Sequence, residues 1–442
     1  MAGRRPNAAF ARVFAESRWS GTQLARAVNR VAREAGVSIR YDQPSVSQWL
    51  GGTMPRPLVR PFVAEAFARR LGRPVTPGEL GFPTPRTPAP DAPSYVAELM
   101  DLVRSDMDPS RRGVIGAGLY SVAMTIPAWP DVVGRMEAAG SGRARRIGMA
   151  DVTAVQLMTD RLAELDDHFG GRYARPMAAA FLANNVAPYL RADAHGEVRK
   201  AMVSAAAFLC YVTGWMAVDE GLQGLAQRYY AKGLELAGAG EDHATYCHIL
   251  RGMSVQAADL GHGATAVRLA DAAAAESRDP GHRVRAFLAG QQAYAHAVAG
   301  DRVRALRSLS ETERALSRAD SRPSSYGGFS AATLAYATSQ VRHGIGDLAG
   351  SVASFQAHFR LRDETDSKRS GVRFRAILAE RQLGTGSLEA ACASWNRMLD
   401  DYPAVQSGRV DEQVARMKGL LRPYLGNGLA RDTYDRARQV AG

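Results

Sequence analysis

From about residue 200 onward the chain repeats itself, and that repetition limits what it can fold into. Each unit reads as an Ala-rich helix, a turn with glycine, and a second helix with small and large apolar residues at fixed offsets. The turn glycines are Gly224, Gly263, Gly300, Gly346 and Gly386, separated by 39, 37, 46 and 40 residues. Similar positions follow each of them: Ala226, Tyr230 and Gly233; Ala266, Ala270 and Ala273; Ala305, Leu309 and Thr312; Ser351, Phe355 and His358. The last set is Ala391, Trp395, Met398 and Pro403. A single helix pair cannot bury its apolar face, so such units must stack and leave a concave surface. Residues 409–421 and 430–440 read as capping helices. Residues 94–200 read as earlier hairpins, with helices over 95–104, 111–124, 151–169 and 176–190 and a Gly- and Arg-rich loop over 139–148.

Ahead of this array, residues 83–93 place a proline at every second or third position. Such a run forms neither helix nor central strand and reads as a semi-rigid linker. It divides the chain into a small domain, 1–82, and a long helical domain, 94–442. The small domain has helical periodicity over 7–17, 22–36 and 59–71, and Thr76 with Glu79 suggests a short capped turn.

Between the second and last of these helices lies residues 41–52. Asp42 is a suitable N-cap, and Pro44 is tolerated because it falls in the first turn. Val46, Trp49 and Leu50 make one apolar stripe, and Gly51 and Gly52 stop the helix. Gln43, Ser45, Ser47 and Gln48 lie off the stripe. Glutamine can donate and accept at once, so it can pair with adenine N6 and N7. A short surface helix at a domain edge is the bland alternative for this stretch taken alone.

Charge favours the first reading. Residues 1–82 hold 13 Lys and Arg against 5 Asp and Glu, a net of +8. The other 360 residues hold 43 against 39, a net of only +4. A basic small domain beside a near-neutral large one suggests a polyanionic partner.

Two resemblances follow. The Ala391, Trp395, Met398 and Pro403 spacing is similar to the tetratricopeptide pattern, although the repeats are longer than its usual ~34 residues. Residues 1–82 resemble the Xre/Cro type of helix-turn-helix through Val46, Trp49 and Leu50, the Gly52 stop, and the Thr53-x-x-Arg56-Pro57 loop. That resemblance implies that Gln43, Pro44 and Gln48 read bases while Ser45, Ser47, Thr53 and Arg56 take phosphate or neighbouring contacts. The distance from Leu24 to Val46 departs from the tight turn of the simplest members. It implies an extended second helix or an insert, from which Arg33 and Arg40 reach the DNA backbone. The whole chain resembles the large regulators of filamentous, Streptomyces-type actinobacteria.

The expected fold is therefore all-α: an N-terminal helix-turn-helix domain and a tetratricopeptide-like α-solenoid. The expected function is a sequence-specific transcriptional regulator. A homodimer would bind a palindromic operator in double-stranded DNA, because one reader contacts only a few base pairs. A peptide or small-molecule effector would enter the repeat groove, held by Asn184, Asn185, Tyr189, Tyr211, Trp215 and Arg251. A helical-repeat scaffold without specific DNA binding is the alternative.

Other chemistry is weakly signalled. His243, Cys247 and His248 lie close together, but no second cluster completes four ligands, so no metal is expected. Asp166-Asp167-His168 and Asp219-Glu220 read as solvated helix ends. Tyr229 and Tyr230 read as core packing or a pocket wall. No P-loop, GxSxG, HExxH or strand-borne GxGxxG occurs, so neither an enzyme nor a cofactor is expected. Cys210, Cys247 and Cys392 are odd in number and far apart, which suits buried thiols in a reducing, cytoplasmic setting. Residues 1–11 lack the apolar core of a signal peptide. Residues 201–218 form an uncharged run, which its alanines and polar groups favour as a buried helix over a membrane span.

Overall fold

The computed structural model describes residues 6–83, 95–107, 119–122, 146–278, 280–319, 329–363 and 367–440. Their regular elements are helices, and no strand occurs among the described residues. Most of the 83–93 linker, residues 111–118 and 123–124 of one expected helix, and most of the 139–148 loop lie outside them; residues 119–122 are not helical. By compactness the chain divides into two units. One comprises Met1–Ala128 with Gly221–Arg228, and the other Trp129–Glu220 with Tyr229–Gly442.

In the first unit, four helices enclose one core: α1 (Ala8–Ser17), α2 (Gly21–Glu34), α3 (Gln43–Leu50) and α4 (Arg60–Leu71). Phe10, Val13, Leu24, Val28, Val46, Trp49, Phe62, Phe67 and Leu80 are buried together. Phe10 anchors this core, with its ring 6.2 Å from Trp49 and 5.6 Å from Phe67, both edge-on. Asn7 ties three segments. Its side chain accepts from the Phe10 amide and donates to the Leu80 carbonyl, and its own amide donates to Leu50. Helix α2 begins with a reciprocal capping box between Ser20 and Gln23. It crosses α3 closely at its first residue, where a Cβ on Gly21 would lie 3.1 Å from Gln43 Cγ. The helix Tyr95–Met107 also belongs to this unit.

The second unit is built from consecutive helix pairs: His243–Asp259 with Gly263–Glu276, His282–Val298 with Arg302–Ser317, Ala331–Gly344 with Leu348–Leu361, and Lys368–Gly384 with Leu388–Asp401. An earlier pair, Met149–Phe169 and Gly171–Phe181, packs on the long helix Gly196–Asp219. Gly408–Leu421 and Gly428–Val440 close the chain. The expected helix over 176–190 begins earlier, at Gly171, runs through Pro176 and contains a π-helical turn, Leu182–Val186.

Each pair turns in the same way. At the third pair the Gly346 amide donates to His343 and the Asp347 amide to Arg342, the double bond of a Schellman ending. The same pattern recurs at Gly261, Gly300 and Gly386, all at positive φ. Two turn assignments from the sequence are corrected here. Gly221 and Gly261, not Gly224 and Gly263, occupy the left-handed positions, because that position follows the cap residue that ends the helix, Glu220 or Leu260. Gly263 instead opens the next helix against the backbone of Ala299, where a Cβ would come within 2.6 Å of the Ala299 Cα.

Except for Pro403, which is exposed, the apolar and small residues that repeat after each turn are buried, including Tyr230, Ala266, Leu309, Phe355 and Trp395. Polar residues at these positions are hydrogen-bonded: Thr312 donates to Ser308 one turn back, and His358 Nδ1 donates to Ala332 on the other helix of its pair. Between helices of a pair, Ser254 donates to the Ala266 carbonyl and Ser339 to that of Ser351. Such bonds let backbones approach without leaving a polar group unpaired. Among the described residues, Gly196–Asp219 is the one helix long and apolar enough to cross a membrane, and 72% of its apolar window is buried inside the protein.

Candidate nucleic-acid interface and an arginine-lined cavity

Helix α3 owes its start to Asp42. The carboxylate accepts from the Ser45 amide at 3.1 Å and the Ser45 hydroxyl at 2.7 Å, and these bonds hold its pKa below the ordinary carboxylate value. Val46 and Trp49 face the core, which leaves Gln43, Pro44, Ser47 and Gln48 exposed. Gln43 Nε2 donates to the Ser47 hydroxyl at 3.0 Å. Ser45 is partly buried, and its hydroxyl is engaged by Asp42. Thr53 is partly buried and Arg56 exposed, just beyond the helix.

The connection from α2 to α3 spans residues 35–42, and α2 is long. The Leu24–Val46 spacing is thus made up of the rest of α2 and this connection. The connection is held by Asn29, whose side chain exchanges two hydrogen bonds with the backbone of Tyr41. The Tyr41 ring packs 5.1 Å from Trp49, so the same loop end steadies α3.

Charge in this unit is sorted. Arg69 pairs with Glu34 and Glu65, at 2.5 and 2.8 Å. Arg73 pairs with Glu16 and Glu79, at 2.7 and 2.9 Å. These two arginines take every glutamate of residues 1–82, and the one aspartate caps α3. Arg26, Arg30, Arg33, Arg40 and Arg56 are exposed, and no ion pair engages them among the described residues. Arg26, Arg30 and Arg33 are spaced by four and three, so they share one face of α2. Arg26 and Arg30 were missing from the sequence-based candidates, although that spacing was visible.

The second unit contains a cavity of about 240 Å³ whose wall includes Trp215, Arg251, Tyr294, Tyr336, Phe374 and Arg409. Two expected ligand-binding residues, Trp215 and Arg251, therefore line one space. Tyr211 is partly buried and lies beside it in the fold, its ring 4.5 Å from His248 and 5.9 Å from Tyr230. Asn184 and Asn185 stand exposed on the π-helical turn and, like Tyr189, are not part of this wall.

Arg369, Arg373 and Arg409 also line the cavity, and the sequence reading had singled out none of them. Asp259 pairs with Arg373 at 3.0 Å and with Arg409, and accepts from the Tyr294 hydroxyl at 3.0 Å. Burial pushes the Asp259 pKa up, but the two guanidinium groups outweigh it and hold the carboxyl below its ordinary value.

Arg369 binds three carboxylates, Asp166 at 3.0 Å, Asp167 at 3.3 Å and Asp219 at 3.4 Å. Asp219 also accepts from the Gly171 amide and the Ser407 hydroxyl. Asp166 and Asp219 are thus buried, which corrects their reading as solvated helix ends. Glu220 likewise pairs with buried Arg175. The physical reason is that later helices supply arginines that cover these ends. Three carboxylates exceed one guanidinium. Burial, with repulsion from Asp219 and Asp167, raises Asp166 to about 7 against the pull of Arg369. Asp166 Oδ1 has no hydrogen-bond partner among the described residues.

His243, Cys247 and His248 line a separate cavity, also about 240 Å³. Burial pushes the Cys247 thiol up to about 12 and His248 down to about 3. Among the described residues no three His, Cys, Asp or Glu side chains are grouped to share a metal. All three cysteines are free and buried.

A family model described as the SP15 N-terminal domain matches residues 10–83, a span that coincides with the core from Phe10 to Phe82. No curated protein and no solved structure matches the chain.

Proposed function

We propose that the protein is a sequence-specific DNA-binding transcriptional regulator. On this reading, α3 is the recognition helix of an Xre-type helix-turn-helix, and the helical pairs form a tetratricopeptide-like effector domain. The observation that carries the reading is the sorting of charge around α3. Four glutamates are engaged by Arg69 and Arg73, while five exposed arginines on α2, the 35–42 connection and the loop after α3 have no ion pair among the described residues. Those arginines flank a helix with two exposed glutamines. Phosphate contacts would fix the register, and Gln43 and Gln48 would read base edges from it.

A single reader spans few base pairs, so a homodimer on two half-sites is the working assembly. An effector bound in the helical domain acts by preferring one of two states that differ in DNA affinity, and its leverage equals that preference. The test is selection of the full chain on a random duplex library, followed by gel shifts over a salt series. Enrichment of a palindromic site, with affinity falling steeply as salt rises, supports the reading. A chain that binds no duplex at low salt is instead a protein-interaction scaffold.

A further inference from the structure

Four arginines line the cavity around Arg251 and no acidic residue does; Arg369 is held by Asp166, Asp167 and Asp219. Arg373 and Arg409 share one carboxylate, Asp259. Arg251 has none: among the described residues no group hydrogen-bonds its guanidinium, and its Nε is buried without a partner. The Phe287 ring lies beneath it, 3.9 Å from the guanidinium carbon. Arg251 is partly buried; a guanidinium drawn part-way out of water without an ion pair is costly, and a cavity beside it leaves room for the missing counter-charge.

The rest of the wall mixes aromatic rings with the polar side chains of Gln291, Thr333, His358 and Ser370. Tyr336 stacks on Phe374 at 4.3 Å, and both face the space together with Tyr294. Trp215 also lines it, and its indole has no ring partner among the described residues. A smaller lobe of about 30 Å³ shares Arg251, Gln291, Tyr294, Thr333 and Tyr336 with the main cavity. An unpaired cation, two arginines that share one carboxylate and an unstacked indole select the same kind of molecule.

We propose that this cavity binds a small organic carboxylate with a planar apolar body. The carboxylate takes the unfilled donors of Arg251 and the share of Arg373 and Arg409 that Asp259 leaves unmet. The planar body lies among Trp215, Tyr336 and Phe374. This deepens the effector reading above and rests on it, since it names the chemical class of the effector.

The test is calorimetric titration of the full chain, without DNA, with naphthalene-1-carboxylate, its neutral carboxamide and inorganic phosphate. The carboxylate is expected to bind at least about tenfold more tightly than either control, because only it offers both charge and a flat face. Arg251→Gln is expected to weaken it by at least about tenfold, with Arg251→Lys falling between. In the absence of ligand, Arg251→Gln should lower the melting temperature by no more than the loss of its contact with the Phe287 ring, since it breaks no ion pair. Equal binding of carboxylate and carboxamide overturns the proposal, as does carboxylate binding unchanged by Arg251→Gln, or no binding of the carboxylate at all. The titration contains no DNA, so its result stands whatever the gel shift gives.

Discussion

Asn29 and Tyr41 are joined by a two-way hydrogen bond. The amide nitrogen of Asn29 donates to the Tyr41 carbonyl at 2.8 Å, and its oxygen accepts from the Tyr41 amide at 2.9 Å. One side chain therefore satisfies both backbone groups at the end of the connection between α2 and α3. Tyr41 is also the residue before Asp42, the cap of α3, so the bracket sets where that helix begins.

Asn29→Ala leaves the donor and acceptor of Tyr41 without their partners. We expect a loss of about 1–3 kcal/mol in the stability of the first unit, read from denaturant unfolding. Asn29→Asp keeps the acceptor and loses the donor, and should fall between. An unfolding midpoint unchanged in Asn29→Ala would mean that the bracket contributes nothing.

The proposed DNA reader separates two kinds of residue. Gln48→Ala should reduce preference for the selected site over random duplex, by about 1–3 kcal/mol of discrimination. Arg56→Ala and Arg30→Ala should weaken both duplexes about equally and reduce the salt slope by about one each. Competition gel shifts measure both. Equal losses on specific and random DNA for Gln48→Ala remove its role as a base reader.

Asp166 gives the second unit a pH dependence with a definite sign. Its pKa is raised from 3.8 to about 7 by burial and by the neighbouring carboxylates Asp219 and Asp167. The folded chain thus holds this proton where the unfolded chain has released it. The stability that the proton contributes is fully present below the ordinary carboxylate value and is lost as pH rises to about 7. Melting temperature should decline between pH 5 and pH 8, and Asp166→Asn should flatten that decline. A decline of the same size in the variant would place its origin elsewhere.

Glu241 occupies a turn in which the equivalent residues are glycine. Its φ is +56°, and the Schellman bonds run from its own amide to Gly238 and from Asp242 to Ala237. A side chain in that region costs roughly 1 kcal/mol, more than the exposed pair with Lys200 returns. Glu241→Gly should therefore raise the melting temperature, and a lowered one would show that the ion pair outweighs the backbone.

Much of this architecture is legible in the residues taken in order. The 3.6-residue period marks the helices, and Asp42 with Pro44 marks the first turn of α3. The offsets behind each turn mark Phe355, Trp395 and their equivalents as buried. These are local properties, because a helix shows which of its faces is apolar whatever it later packs against. The turns were harder: a glycine is recognisable, but only backbone geometry distinguishes Gly261 at positive φ from Gly263 at a close approach two residues on.

The charges belong to the tertiary structure. Asp166 and Asp219 end their helices as solvated residues do, and Arg369 sits in a stretch rich in arginine. Nothing local says that they meet, since 203 and 150 residues separate them from Arg369. Arg373 and Asp259 are 114 apart. Burial of a charge depends on which distant helix covers it, and its protonation then follows from how many opposite charges share the space. The sequence by itself determined an all-helical chain with a basic leading domain and a repeating array behind it. Only the packing of helices far apart in the chain decided that Arg251 is left without a counter-ion beside an aromatic cavity.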